Sequence, residues 1–235
     1  MSVVPVAIAQ PRARSLDDVA DWIFDLDNTL YPAHCNLFSQ VDRRIGQFIE
    51  GRLGLDALEA RLLQKRYFRE HGTTLAGLMA NHAVDPGAFL DFVHDIDVSP
   101  VSPSPALDQV LARLPGRKFI FTNGSTAHAD RVTGRLGVSH HFEGVFDIIA
   151  ADYKPKPDPA TYDKLIRQHG IVPARAAMVE DLPRNLRPAA ALGMTTVLVL
   201  TGEEWAETDR TGDHIHHVTD DLVAWLTALF PQREP

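Results

Sequence analysis

Four short stretches of this sequence carry polar side chains in patterns that can do chemistry. The first is Asp25-Leu26-Asp27-Asn28-Thr29. If a strand ends here, alternation turns Asp25 and Asp27 to the same side. Two carboxylates held that close repel, and both stay ionised only beside a cation or hydrogen-bond donors. A hard divalent cation such as Mg²⁺, with oxygen ligands, suits them. The second stretch is Phe121-Thr122-Asn123-Gly124-Ser125. Its hydroxyl and amide can present donors to an anion, and Gly124 lets the backbone approach closely. The third is Tyr153-Lys154-Pro155-Lys156-Pro157-Asp158-Pro159, where Asp158 reads as an N-cap and Pro159 as the first helical residue. The prolines hold the preceding loop extended and fix where Lys156 points. A lysine fixed after a strand suits a phosphate contact. The fourth, Met178-Val179-Glu180-Asp181-Leu182-Pro183, brings two more carboxylates, one of which can complete the cation site. Taken singly, each stretch also has an ordinary reading: solvated acids, a helix capped by Ser125, a basic loop, a polar turn.

The elements around these stretches decide between the readings. Trp22 to Leu26 is a short apolar run broken by Asp25, which fits a buried strand meeting a polar loop. From Phe38 to Val98 the apolar residues recur at helical spacing, for example Phe38, Val41, Ile45, Phe48 and Ile49. This predicts about four amphipathic helices without a strand. Ser99 to Pro105 alternates serine and proline and breaks the pattern. Strands then alternate with helices. Strands are expected at Phe119–Phe121, Phe146–Ala150, Ala177–Val179 and Thr195–Leu200, and helices at Thr126–Leu136, Pro159–His169 and Pro183–Leu192. Such alternation specifies a parallel sheet covered by helices, with ligands at the carboxyl ends of its strands. All four chemical stretches fall at such ends. The expected organisation is an N-terminal arm over 1–20, an α/β core over 21–32 and 100–235, and a helical cap over 33–99.

Composition narrows the function classes. The 235 residues carry 23 Lys and Arg against 31 Asp and Glu, a net charge of −8. That balance argues against a nucleic-acid polymer or an anionic membrane as partner. The single cysteine, Cys35, excludes an intrachain disulfide framework and a CxxC zinc site. No apolar run reaches the roughly 18 residues of a membrane span. Val3–Ala9 is apolar, but Arg12 and Arg14 follow it, the reverse of a secretory signal, so the expected location is the cytoplasm.

In order and placement, the series Asp25-x-Asp27-x-Thr29, Thr122-Asn123-Gly124, Lys154-Pro155-Lys156-Pro157 and Glu180-Asp181 resembles the haloacid dehalogenase-like superfamily of phosphatases. The resemblance runs from Trp22 to Leu200, with the helical block where that superfamily carries a C1-type cap. Phe24 to Pro32, the Ala127-His128 pair after Ser125, Arg184-Asn185-Leu186 after Asp181, and His71 to Leu78 resemble its pyrimidine 5′-nucleotidase branch. The resemblance implies a Rossmann-like three-layer core with a central first strand. It makes Asp25 the nucleophile that forms an aspartyl-phosphate, and Asp27 a general acid/base protonated at the start of the cycle. It assigns phosphoryl oxygens to Thr122, Asn123 and Lys156. It places Mg²⁺ on Asp25, Asp181 and the main-chain carbonyl of Asp27, with Glu180 as ligand or outer support. Lys156 is preferred over Lys154 because its spacing to Asp158 and Tyr162 fits the family. Asn185 stands where many relatives place another acid.

The implied activity is Mg²⁺-dependent hydrolysis of a small phosphomonoester, a nucleoside 5′-monophosphate in the leading reading, by a monomer or homodimer. Phosphoglycolate, a sugar phosphate or phosphoryl transfer is the alternative. A 2-haloacid dehalogenase is disfavoured by Asp27, and a silent binding domain by the intact motifs. Tyr31, Tyr67, His71 and Thr73, with Arg66 and Arg69, are candidates to line the substrate site, either tyrosine stacking on a base. Asp213-His214-Ile215-His216-His217 has no zinc-like spacing of partners and is expected to be a surface segment before a last helix at Asp220–Leu229, whose core-facing stripe is Leu222, Trp225 and Leu226.

Overall fold

The computed structural model describes residues 14–202 and 211–231. Strand β1 spans Asp21–Phe24, β2 Arg117–Phe121, β3 Gly144–Phe146, β4 Ala176–Glu180, β5 Thr195–Val199 and β6 His217–Thr219. They form one parallel sheet in the order β3-β2-β1-β4-β5-β6. β1 is fully buried, as a strand covered on both faces must be. Its side chains alternate: Trp22 and Phe24 join one apolar cluster, Ile23 the other. The chain leaves β1 toward β2 and β3, then returns to the opposite side of β1 through β4. The strand order therefore reverses at β1, the point where such sheets bind ligands.

Four helices lie between β1 and the rest of the core: α1 at Leu37–Leu53, α2 at Ala57–His71, α3 at Thr74–His82 and α4 at Pro86–Val93. Their starts are written in the sequence. Asp56 and Glu59 form a capping box for α2, Thr73 caps α3, and Asp85 with Pro86 opens α4. Each cap contributes about 1 kcal/mol. Phe48 of α1 meets Phe89 and Phe92 of α4 edge-on, at 5.1 and 5.6 Å between ring centroids. Helices α5 (Pro105–Arg113), α6 (Thr126–Leu136), α7 (Pro159–His169), α8 (Pro183–Ala191) and α9 (Leu222–Leu229) complete the core.

Several expectations need correction. The strand expected at Phe146–Ala150 is Gly144–Phe146, followed by a turn. Asp147 ends it: one carboxylate oxygen accepts from the backbone and hydroxyl of Thr126, the other from the backbone of Ala150. Residues 1–13 of the expected arm, Val3–Ala9 included, lie outside the described residues. Residues 14–20 are not a loose arm. Arg14 donates to the carbonyl of Gly193 at 2.9 Å, and Leu16 and Val19 are buried. The histidine segment is not a surface one either. His214 and His216 are buried, and Thr196 holds both through its backbone and hydroxyl. Among the described residues they join no cluster able to hold a metal. In α9, Leu222 and Leu226 are buried, and Trp225 packs partly covered beside them. Among the described residues, no helix is long and apolar enough to cross a membrane.

Candidate active site

The sheet register assembles the site. Phe24 pairs with Ile120 of β2 and with Val179 of β4. The next residue on each chain, Asp25, Phe121 and Glu180, therefore stands in one row at the carboxyl edge. Backbone bonds continue the ladder, from Asp25 to Val179 at 2.9 Å and from Thr122 to Phe146 at 3.0 Å.

Lys156 bridges that row. Its ammonium donates to Asp25 Oδ1 at 2.6 Å, Glu180 Oε2 at 2.7 Å and the Phe121 carbonyl at 2.8 Å, and the residue is 1 % exposed. Burial pulls its pKa down, but the charges of Asp25 and Glu180 outweigh burial and hold the ammonium charged. Lys154 is exposed, so the geometry selects Lys156. The amide of Asn123 fixes this loop, accepting from the Lys156 backbone at 2.8 Å and donating to its carbonyl at 3.4 Å. The Asn123 side chain thus positions Lys156, while the residue itself lines the cavity and one amide hydrogen is left over for a ligand. Thr122 is buried at the cavity wall and accepts from the Gly124 backbone at 2.9 Å, leaving its hydroxyl proton to donate.

Asp25, Glu180 and Asp181 bring carboxylate oxygens within 4.8 Å of one another. Three buried acids thus face one ammonium. Burial and the charge of Glu180 raise Asp25 to about 7, against the pull of Lys156. Burial, then Glu180 and Asp25, push Asp181 well above the ordinary carboxylate range. Asp181 Oδ2 and Asn185 Oδ1 are buried without a hydrogen-bond partner, and both residues line the same cavity as Asp25. Oxygen acceptors with no donor beside an excess of buried negative charge fit a hard divalent cation. Glu180 serves this group from outside: one oxygen holds Lys156 and the other accepts from the Leu182 backbone at 3.2 Å.

The Asp27 side chain stands apart from the acid group. Its Oδ1 accepts from the Tyr31 hydroxyl at 2.6 Å and from His128 Nε2 at 2.8 Å. Burial pushes Asp27 up, but the charge and hydrogen bond of His128 and the bond from Tyr31 outweigh it, so Asp27 sits low. Without a cation Asp25 is the weaker acid; the sequence reading set the opposite order with Mg²⁺ beside Asp25. The cause is the crowding of Asp25 by Glu180 and the two donors on Asp27. Any cation role of Asp27 falls to its main-chain carbonyl.

The cavity above these residues holds about 700 Å³. Phe38, Phe68 and Phe89 give it an apolar wall, and Arg61, Gln64 and Lys65 of α2 give it a polar one. Of the expected substrate residues, Thr73 lines it. Tyr31 is buried under Asp27 and cannot stack on a ligand. Tyr67 is buried in the helical block, bonded to His82 at 2.8 Å. His71 packs edge-on against Tyr67, and Arg66 and Arg69 are exposed; all three lie outside the cavity lining. Helix spacing explains the miss: Arg61, Gln64, Lys65 and Phe68 face the cavity, and Tyr67 faces α3.

Comparison with known proteins agrees with this geometry. "Phosphate metabolism protein 8" of Saccharomyces cerevisiae is 29 % identical over 216 residues, covering 82 % of this chain and 66 % of the yeast protein. The match thus spans just under two thirds of that relative. "Glyceraldehyde 3-phosphate phosphatase" of Methanopyrus kandleri is 28 % identical over 210 residues, covering 82 % and 89 % of the two chains. The solved L-2-haloacid dehalogenase of Xanthobacter autotrophicus superposes with a TM-score of 0.57 at 17 % identity, over 91 % of this chain and 99 % of that one, which shows the fold alone. The haloacid dehalogenase-like hydrolase family model matches residues 23–193, which contain every strand-end residue described above. A parallel sheet interrupted by helices after its first strand, with acids and one lysine gathered at the strand ends, thus has its place: the chain belongs to the haloacid dehalogenase-like hydrolases.

Proposed function

We propose that the protein is a phosphomonoester hydrolase working through an aspartyl-phosphate on Asp25, with small phosphorylated metabolites as substrates. The observation that carries this reading is the convergence of Asp25, Asp27, Lys156 and Asp181 on one 700 Å³ cavity. A carboxylate oxygen of Asp25 attacks phosphorus while the ester P–O bond breaks. Asp27 gives its proton to the departing alkoxide. Asp27 then takes a proton from water, whose oxygen attacks phosphorus and releases phosphate and the free Asp25 carboxylate. The approach of a phosphoryl dianion shifts Asp27 toward its protonated form by charge repulsion. Lys156 and Thr122 hold phosphoryl oxygens, and Asn123 fixes Lys156.

Mg²⁺ would be held by Asp25, Asp181 and the main-chain carbonyl of Asp27, with Asn185 and Glu180 around them. When bound, it supplies positive charge against the phosphoryl oxygens and lets Asp25 stay ionised. The helical block acts as the cap that closes the site from water.

A nucleoside 5′-monophosphate is the preferred substrate class. A cavity of this volume, with phenylalanines on one wall, suits a ligand carrying a base as well as a phosphate. Hydrolysis of a triose or sugar phosphate is the second reading, favoured by the name of the archaeal relative. The test is phosphate release from UMP, CMP, AMP, GMP, phosphoglycolate and sugar phosphates with Mg²⁺, by wild type and Asp25→Asn. The proposal expects release that Asp25→Asn abolishes, with UMP or CMP ahead. Silence across the panel refutes the activity, and preference for a sugar phosphate refutes the nucleotide assignment.

A further inference from the structure

Unlike Asp25 and Glu180, Asp27 makes no ion pair with Lys156. Both of its hydrogen bonds, from Tyr31 and from His128, end on Oδ1. Its Oδ2 takes no bond from any described residue, while Asp27 lines the cavity. A carboxyl held in this way keeps Oδ1 as an acceptor in either protonation state and carries any proton on Oδ2.

His128 is built to hold that orientation. Its side chain has no solvent exposure, and its helix α6 starts at the Ser125 cap three residues earlier. The ring stacks on that of His94, 4.4 Å between centroids and 9° from parallel. His94 is tied through Nδ1 to the Ser125 hydroxyl at 3.0 Å, the same oxygen that accepts from the His128 backbone. The Gly124 backbone packs against the stack: a Cβ there would stand in ordinary contact, 3.4 Å from His128 Cδ2 and 3.5 Å from His94 Nε2, and would be tight only against Thr122 Oγ1 at 3.3 Å. These contacts leave the imidazole little freedom to turn. Its Nε2 is fixed on one carboxylate oxygen.

We infer that His128, assisted by Tyr31, is a positioning residue for the acid/base Asp27: it locks Oδ1 so that Oδ2 alone meets the leaving-group oxygen and, later, the attacking water. This rests on the phosphohydrolase reading above. The balance is simple. The Oδ2–H bond breaks as the proton passes to the alkoxide freed from phosphorus, and it re-forms with a proton from water. His128 exchanges no proton.

The lock makes a claim that a structural role does not. An alkyl phosphate needs protonation of its leaving alkoxide, whereas p-nitrophenolate leaves without it. The experiment compares kcat/KM for a nucleoside or sugar monophosphate with kcat/KM for p-nitrophenyl phosphate, in wild type, His128→Ala and His128→Gln, with far-UV circular dichroism on each. General acid/base groups contribute about 10²–10⁴-fold. A misaimed Asp27 should therefore cost His128→Ala about 10- to 100-fold more on the alkyl ester than on the nitrophenyl ester. His128→Gln, which keeps a donor near the Nε2 position, should recover part of that gap. Equal losses on both esters, or no loss, in a folded variant overturn the inference. If His128→Ala does not fold, the ratio measured in His128→Gln and Tyr31→Phe decides: a wild-type ratio in both overturns it. If the wild-type protein hydrolyses neither ester, the phosphohydrolase reading falls first and this inference falls with it.

Discussion

Replacing Lys156 with methionine keeps most of the side chain's length and removes the ammonium, with its charge and its donors. In the folded protein that charge makes three hydrogen bonds, at 2.6, 2.7 and 2.8 Å, to Asp25, Glu180 and the Phe121 carbonyl. Asp25 and Glu180 are 7 % and 1 % exposed, so water cannot replace the lost partner. Breaking a buried ion pair from one side costs about 3–5 kcal/mol. The cost has a ceiling, because an unpaired acid can take a proton. For Asp25, already raised to about 7, taking up a proton at pH 8 costs only about 1.4 kcal/mol, so part of the loss is relieved even there.

The pH dependence follows from Asp25. Its folded value of about 7 lies above the ordinary 3.8. The folded state therefore holds an extra proton between those values. The stability contributed by that proton is fully present below 3.8 and is lost as pH rises through about 7. At pH 5, below the raised Asp25 value, Asp25 is mostly protonated, so removing Lys156 leaves less unpaired charge than at pH 8. Lys156→Met should therefore lose more stability at pH 8, up to about 3–5 kcal/mol, than at pH 5. Urea unfolding followed by circular dichroism, in chelator-treated buffer at both pH values, reads the difference as a change of midpoint at constant slope. An equal loss at pH 5 and pH 8 would refute the electrostatic account. So would a loss at pH 8 below about 1 kcal/mol.

Three further outcomes are expected. Mg²⁺ at 100-fold above its dissociation constant should stabilise the wild type by about 2.7 kcal/mol, while Asp181→Asn should gain much less; equal gains in calorimetry would remove Asp181 from the cation site. Gly77→Ala should cost about 1–3 kcal/mol, because a Cβ there would run into the Tyr67 ring, and an unchanged melting temperature would contradict that packing. Tyr67→Phe should leave KM unaltered, since the hydroxyl is spent on His82, whereas Lys65→Ala should change it; the opposite result would return Tyr67 to the substrate.

What the sequence made legible was whatever is governed by near neighbours. Helices α6 and α7 begin and end where Ser125, Gly137, Asp158 and Gly170 mark them, because caps are local chemistry. The strand-end acids and Lys156 were readable because a parallel sheet brings its carboxyl ends to one edge whatever lies between them. The errors fall where distant residues decide. Phe146-Asp147-Ile148-Ile149-Ala150 looks like a strand until the Asp147 carboxylate finds Thr126, 21 residues earlier. His214 and His216 look like surface until Thr196 takes them in. Tyr67 looks like a ligand contact until Gly77 admits its ring. The two partners of Asp27 were both in view, Tyr31 as a substrate contact and His128 within a motif. Their shared target was not, because 101 residues separate Asp27 from His128.

The position of the helical insertion gives those two partners a common meaning. The insertion leaves the core just after Asp27, with Tyr31 on the way out, and returns past His94. Tyr31 touches Asp27 directly, and His94 touches it through the His128 ring. The return is clamped to the core by α6 itself. Arg131 donates to the carbonyls of His94 and Ile96, and Arg135 to those of Ser99 and Val101. His128, Arg131 and Arg135 stand three and four residues apart, on one face of that helix. A single helix face therefore fixes both the Asp27 carboxylate and the chain by which the insertion re-enters the core. Asp25 and Glu180, by contrast, are tied to each other through the Lys156 ammonium at the sheet edge. The site thus rests on two separate supports: Lys156 for the paired acids at the sheet edge, and Tyr31 with the α6 face for Asp27.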